Sequence, residues 1–108
     1  MANLSDLIEQ CETAKDLLSD FGKEPDLKKA LKVVSQLRRA LDSLDKRIAK
    51  VLPYYSATSI GLMGWCKRSL AKAETQLSLG QGYYGRGSVG EAGEYLRKLD
   101  QALKSALT

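Results

Sequence analysis

The sequence predicts an all-α fold, specifically an up-and-down four-helix bundle with heptad-type core packing. Apolar residues recur at alternating steps of three and four along nearly the whole chain, as they do on one face of a helix. Short connectors containing glycine or proline separate four such stretches, which favours antiparallel neighbours. No stretch alternates with the period of two that is typical of a half-buried strand. The length of 108 residues fits a single helical-bundle domain.

The first two helices are predicted over residues 4–21 and 25–52. Gly22 supplies the stop of the first helix, whose apolar seam is Leu4, Leu7, Cys11, Ala14, Leu18 and Phe21. The second helix starts at Pro25, a favoured first-turn residue, and ends before Pro53. Its apolar residues fill four consecutive heptads: Leu27, Val34, Leu41 and Ile48 at a, with Ala30, Leu37, Leu44 and Val51 at d. At about 28 residues it is the long helix of the bundle. Because the first helix is shorter, one end of the second helix stays uncovered. Its apolar side could then pack against another chain, which favours self-association.

The last two helices are predicted over residues 57–79 and 89–107. The third carries its seam at Met63, Cys66, Leu70, Ala73 and Leu77. The fourth begins after Ser88, which with Glu91 fits a capping box, and has its seam at Val89, Ala92, Leu96, Leu99, Leu103 and Ala106. Between them, residues 80–88 are predicted to form a glycine-rich loop, because their composition is typical of a flexible connector.

Composition excludes several classes of chemistry. The chain has no histidine, which rules out His ligands, His general bases and Ser-His or Cys-His nucleophile pairs. Its two cysteines are too few for a disulfide scaffold. The glycine-rich segment matches G-x-G-x-x-G, but a dinucleotide site needs a strand before that turn. We therefore expect no enzyme, no catalytic residue, no metal site and no cofactor. With no signal peptide and no apolar run long enough to span a membrane, we expect a cytoplasmic protein.

A charge-free stretch over residues 51–66 is the least ordinary feature of the chain. If Met63 and Cys66 face the core, Trp65 points away from it, near glycines that permit close approach of a partner. The alternative is that Trp65 covers the end of the core. The sequence thus predicts a protein–protein interaction module, such as a small adaptor, inhibitor or assembly chaperone, and a homodimer is plausible. The predicted partner-binding residues are Tyr54, Tyr55, Gly61, Leu62, Gly64 and Trp65.

A basic face on the second helix supports a different function. Residues 1–22 hold five acidic side chains and one basic side chain, whereas residues 23–52 hold nine basic and four acidic ones. A row of basic side chains can follow phosphates, and tyrosines beside an arginine can stack on bases. The alternative function is therefore nucleic-acid binding through Lys28, Lys32, Arg39, Lys46, Tyr83, Tyr84 and Arg86. Against it, Asp42 lies at helix-pair spacing from Arg38 and Lys46, which predicts a partly neutralised face.

Residues 37–48 read L-R-R-A-L-D-S-L-D-K-R-I. This segment resembles the opening of the all-helical chorismate mutases, whose first long helix carries L-R-x-x-I-D-x-I-D-x-x-I. The resemblance implies a helical enzyme in which Arg38 binds a substrate carboxylate. The family also has a second arginine farther along, at a position where this chain has Tyr55.

Overall fold

The structure, a computed structural model, describes residues 4–51 and 57–107. These residues form four helices: α1 (Leu4–Lys23), α2 (Leu27–Val51), α3 (Ala57–Ser78) and α4 (Gly82–Leu107). No strand is present in those two ranges. The helices pack in a ring, with α1 on α2, α2 on α3, α3 on α4 and α4 on α1. The bundle measures 42 × 21 × 19 Å. The predicted fold class is confirmed.

Neighbouring helices run in opposite directions. Three-residue connectors join α1 to α2 and α3 to α4, which leaves no room for a parallel return. Between α2 and α3, Arg38 pairs with Glu74 at 3.0 Å and Asp45 pairs with Lys67 at 2.7 Å. The later residue of α2 thus meets the earlier residue of α3. The ring order places the outer side of the α1–α2 pair opposite the outer side of the α3–α4 pair.

The predicted seams form the core. Leu18 and Leu27 are partly buried, and the remaining seam residues whose side chains the structure describes are buried. They include Leu7, Cys11, Ala14, Val34, Leu37, Leu41, Leu44, Ile48, Met63, Leu70, Leu96, Leu99 and Leu103. The heptad spacing gives each helix one continuous apolar stripe, and the four stripes meet along the bundle axis.

Local hydrogen bonds fix the described connectors. Asp26 caps α2, because its Oδ1 accepts from the Lys28 amide at 2.9 Å. After α3 the chain turns at Gly80, where φ is +76°. The Gly80 amide donates to the Leu77 carbonyl at 3.1 Å, and the Gln81 amide donates to the Gln76 carbonyl at 2.8 Å. This is a Schellman ending, which favours glycine at the left-handed position.

The glycine-rich segment is where the prediction was wrong. α4 begins at Gly82, so that residues 82–88 are its first two turns and not part of a loop. The Gly85 amide donates to the Gln81 carbonyl at 2.9 Å, which starts the helix. Ser88 does not cap the helix. It is buried, and its hydroxyl donates to Gln76 Oε1 at 2.7 Å. With 26 residues, α4 is longer than α2, which has 25.

Packing explains two of the helical glycines. A Cβ built on Gly85 would lie 2.7 Å from both Cδ2 and Cγ of Leu77, and one on Gly82 would lie 3.0 Å from Cδ2 of Leu27. A Cβ essentially never lies as close as 2.7 Å to another heavy atom, and a contact of 3.0 Å is tighter than nine in ten of those that real Cβ atoms make. Glycine at these positions therefore lets α4 pack against α3 and the start of α2, and this packing offsets the poor helix propensity of the segment.

A buried carboxylate joins α1 to α4. Asp100 is only 2% exposed, and its Oδ2 accepts from Lys15 Nζ at 2.6 Å and from Lys104 Nζ at 3.0 Å. Burial alone would raise the pKa of Asp100, but the hydrogen bonds from the two lysines outweigh it and lower that pKa below 3.8. Asp100 is therefore ionised in the native bundle at neutral pH. None of the described helices has the length and apolar character needed to cross a membrane.

The two classes of glycine in α4 should respond oppositely to alanine. We expect Gly85→Ala to lower the free energy of unfolding by about 1–3 kcal/mol, because the new methyl group overpacks against Leu77. Gly87→Ala is the matched control, since an added Cβ there meets nothing within 4 Å. It should raise stability by about 1 kcal/mol through helix propensity. Urea unfolding followed by circular dichroism measures both changes. Equal effects at the two positions would contradict the packing role.

The Asp100 cluster predicts a pH-dependent stability. A folded-state pKa below 3.8 means that the contribution is complete above pH 3.8 and is lost as the pH falls through the lower, folded value. Asp100→Asn should therefore destabilise the bundle at pH 7, and the difference from the wild type should shrink toward pH 2–3. Urea unfolding at both pH values tests this. Glu91→Gln, which removes an exposed carboxylate of the same helix, should change stability little at either pH.

Candidate functional site

The strongest candidate surface lies on the outer side of the α3–α4 pair, around Trp65. Met63 and Cys66 face the core, so Trp65 between them points outward, and its side chain is 52% exposed. Its ring stacks on Tyr95 of α4 with 6.2 Å between ring centroids and an interplanar angle of 22°. Trp65 thus rests on the neighbouring helix and still presents half of its surface to solvent.

Cations flank this aromatic pair on both sides. The Arg68 guanidinium lies 5.2 Å from the centroid of the Trp65 ring, and Lys98 Nζ lies 6.0 Å from that of Tyr95. At exposed sites such contacts are worth about 0.5–1 kcal/mol, enough to favour one side-chain orientation. Four side chains therefore form an ordered row across the two helices.

A shallow depression beside Trp65 has a volume of about 360 Å³ and is lined by Ile60, Gly61, Gly64, Trp65 and Arg68. Ile60 is 52% exposed. A Cβ added to either glycine would meet nothing within 4 Å. The space over α3 is open because the two glycines have no side chains. No described part of the chain occupies that space.

The predicted partner-binding residues are divided by the structure. Gly61, Gly64 and Trp65 line one depression. Leu62 is partly buried and packs against the core. Tyr54 and Tyr55 lie outside the described residues.

Sequence reasoning did not single out the other participants, Ile60, Arg68, Tyr95 and Lys98. Ile60 and Arg68 lie one turn to either side of Gly64, so helical spacing contained a signal for them. Tyr95 and Lys98 belong to a different helix and had none.

A second depression lies farther along the same side, near the start of α4. Its volume is about 510 Å³, and Ser88, hydrogen-bonded to Gln76, contributes to its lining. Tyr83 and Tyr84 lie at its edge with their rings edge-to-face, 5.6 Å between centroids. Tyr83 is 86% exposed. These tyrosines are accessible, as nucleic-acid binding would require.

Arg86, by contrast, is engaged inside the molecule. Its Nη2 donates to the carbonyl of Glu24 at 2.7 Å and to that of Pro25 at 3.4 Å. The guanidinium also lies over the Phe21 ring, 5.4 Å from its centroid. Arg86 therefore ties the start of α4 to the α1–α2 connector through Nη2, and it also lines the depression beside the two tyrosines.

The basic row of α2 is exposed at Lys28, Lys32, Arg39 and Lys46. The expected neutralisation by Asp42 within α2 was wrong. Lys67 of α3 forms ion pairs with both aspartates of α2, with Asp42 at 3.1 Å and with Asp45 at 2.7 Å. Burial alone would lower the pKa of Lys67, but the two carboxylates raise it above the ordinary lysine value. The row of α2 is thus left without ion pairs in the part of the chain that the structure describes.

The two halves of the predicted nucleic-acid surface lie on different helix pairs, although the start of α4 approaches the start of α2 where Gly82 meets Leu27. α2 packs mainly on α1 and α3, diagonally across the ring from α4. The tyrosines lie beside Lys72 and Gln76, on the outer side of the α3–α4 pair.

Neither cysteine has the environment of a nucleophile. Cys11 and Cys66 are both buried and unpaired, and burial raises the pKa of each thiol to about 12. The Cys66 thiol donates to the Ala92 carbonyl at 3.3 Å. Both side chains act as small apolar groups of the core.

The resemblance to the chorismate mutases implies that Arg38 binds a substrate carboxylate. In the structure Arg38 donates to Glu74 Oε2 at 3.0 Å. It spans the gap between α2 and α3 at the surface. Tyr55, at the position of that family's second arginine, lies outside the described residues. No protein-family profile, curated protein or solved structure matches the chain.

The contacts of Arg86 predict that alanine substitution lowers stability much more at Arg86 than at Tyr83, which lies in the same helical segment. Arg86→Ala should lower the free energy of unfolding by about 1.5–3 kcal/mol, because it removes charge-assisted hydrogen bonds to two connector carbonyls. Tyr83→Ala should change it by less than about 0.5 kcal/mol, as an exposed side chain does. Thermal and urea unfolding measure both. A neutral Arg86→Ala would show that the contact contributes nothing to stability.

Proposed function

We propose that the chain is a protein-binding module without catalytic activity, and that its partner binds the α3–α4 side around Trp65. The observation that carries this proposal is the combination of a half-exposed tryptophan with two helical glycines whose open faces serve no internal contact. Tryptophan and arginine are the residue types most enriched at the energetic centres of interfaces.

The glycines need an explanation from outside the bundle. In a helix each costs about 1 kcal/mol relative to alanine. At Gly82 and Gly85 close packing against leucines of the same chain offsets that cost. Gly61 and Gly64 have no such contact with any residue that the structure describes. A partner whose backbone or side chain lies directly on α3 would use the room that they leave.

The chemistry of the depression indicates the kind of partner. Ile60 and the ring of Trp65 suit an apolar side chain, which they would remove from water. Arg68 is exposed and forms no ion pair with another described residue, so its guanidinium is available to a carboxylate. We therefore expect a protein segment that presents an apolar side chain next to an aspartate or glutamate.

Nucleic-acid binding remains the alternative proposal, supported by the unpaired basic row of α2 and by the exposed Tyr83 and Tyr84. It predicts affinity that falls steeply with salt, because each neutralised phosphate releases counterions.

A blocking substitution tests the protein-binding proposal without emptying the core. Gly64→Leu should fill the depression and abolish capture of the partner, and the Cβ that it adds meets nothing within 4 Å among the described residues. Trp65→Ala should weaken capture about 30-fold or more, as the loss of an interface centre does. The measurement is affinity capture from cells that produce the protein, quantified by mass spectrometry against the wild type.

Gly90→Leu is the matched control, because Gly90 is also an open helical glycine but lies on the α1–α4 side. It should capture the same protein as the wild type. Equal capture by all four chains would contradict a site at Trp65. Circular dichroism confirms that each variant is folded.

A further inference from the structure

The surfaces that α1 and α2 turn away from the core carry two charged rows of opposite sign. The acidic row lies on α1 and consists of Glu9, Asp16 and Asp20, all exposed. On α2 the row shares Lys32, Arg39 and Lys46 with the basic row described above, and it adds Lys29 and Lys50, which are also exposed. Between residues that the structure describes, no ion pair involves a member of either row.

The rows remain unpaired because the nearby charges are already paired elsewhere. Asp42 and Asp45 of α2 turn toward α3 and pair with Lys67. Glu12 of α1 turns toward α4 and pairs with Lys104 at 3.6 Å, as well as with Lys15 at 3.3 Å. What is left on the outer side is one acidic helix beside one basic helix.

The charges of the two rows match in height along the bundle. α1 ends at Lys23 and α2 begins at Leu27 in the opposite direction, so positions whose numbers add up to about 50 lie at the same level. Asp20 is thus level with Lys29, Asp16 with Lys32 and Glu9 with Arg39, each to within about 3 Å at a rise of 1.5 Å per residue.

We propose that a second copy of this chain covers this side, forming a two-fold dimer in which α1 of each protomer lies on α2 of the other. A two-fold axis parallel to the bundle axis keeps every residue at its own height and exchanges left for right. It therefore places the acidic row of one copy on the basic row of its partner, with the three matched levels in register. An axis across the bundle would place like charges together, so only one orientation is attractive.

The adjacent acidic row favours a second copy over a nucleic acid. Packed helices lie about 8–10 Å apart, which is close to the Debye length at physiological salt. Phosphates bound to α2 would therefore feel the repulsion of the α1 carboxylates. A second copy uses both rows at once, because each finds its opposite.

The dimer leaves the Trp65 surfaces open, whatever binds there. The α3–α4 pair lies on the opposite side of the ring from the α1–α2 pair. The two Trp65 surfaces would then face in opposite directions, one on each side of the dimer.

Charge reversal with rescue tests the dimer. Light scattering after size exclusion and sedimentation should show the wild-type chain as a dimer at about 50 mM salt that dissociates toward about 500 mM salt. Asp16→Lys and Lys32→Asp should each weaken association by at least about tenfold, because each places like charges together twice in a two-fold dimer. The double variant Asp16→Lys/Lys32→Asp should restore association, since its charges are complementary again.

Glu91→Lys is the control, because it makes the same charge change as Asp16→Lys on the other side of the ring and should leave association unchanged. A wild-type chain that stays monomeric at low salt, or a double variant as weak as the single ones, would overturn the dimer. A labelled DNA duplex of about 20 base pairs provides the competing arm. If a monomeric wild type binds the duplex and Lys32→Asp removes that binding, the basic row is a nucleic-acid surface and the dimer proposal is wrong.

Discussion

The contact between the backbone of α4 at Gly85 and the side chain of Leu77 sets how closely α3 and α4 can approach each other. At this separation Ser88 can reach Gln76, with 2.7 Å between their oxygens, and Trp65 can lie against Tyr95. A longer side chain at position 85 would push the two helices apart and loosen both contacts. The outer side that presents Trp65 is therefore shaped by an absent side chain at the other end of the same helix pair.

Periodicity was enough to predict the bundle, because a core of four antiparallel helices needs only one apolar stripe from each. For Trp65 it allowed two interpretations, an outward direction or a place over the end of the core, and the outward one is observed because Met63 and Cys66 occupy the stripe on either side of it. Composition misled at residues 82–88, where glycine is used for packing against Leu27 and Leu77. Both leucines are distant in sequence or belong to another helix, so no local pattern could reveal them.

The same division between local and distant partners governs the charges. Helix spacing suggested that Asp42 would neutralise basic neighbours on α2, yet Lys67 of α3 takes it together with Asp45. Because Lys67 lies between these two carboxylates, the basic row of α2 is left without its own counter-charges. In the same way Arg86 stood among tyrosines as a candidate anion site, while its acceptors lie in the α1–α2 connector. Net charge alone therefore says little about which basic groups are available to a partner.

The bond from Arg86 to the Glu24 carbonyl has a kinetic consequence. The α1–α2 and α3–α4 hairpins are held largely by contacts close in sequence, and chains with such topology fold quickly. Arg86 instead spans 62 positions and joins one hairpin to the other. It can form only after the hairpins have docked. If that docking follows the transition state for folding, the Arg86 bond slows unfolding without speeding folding, and it then prolongs the life of the native bundle more than it hastens its formation.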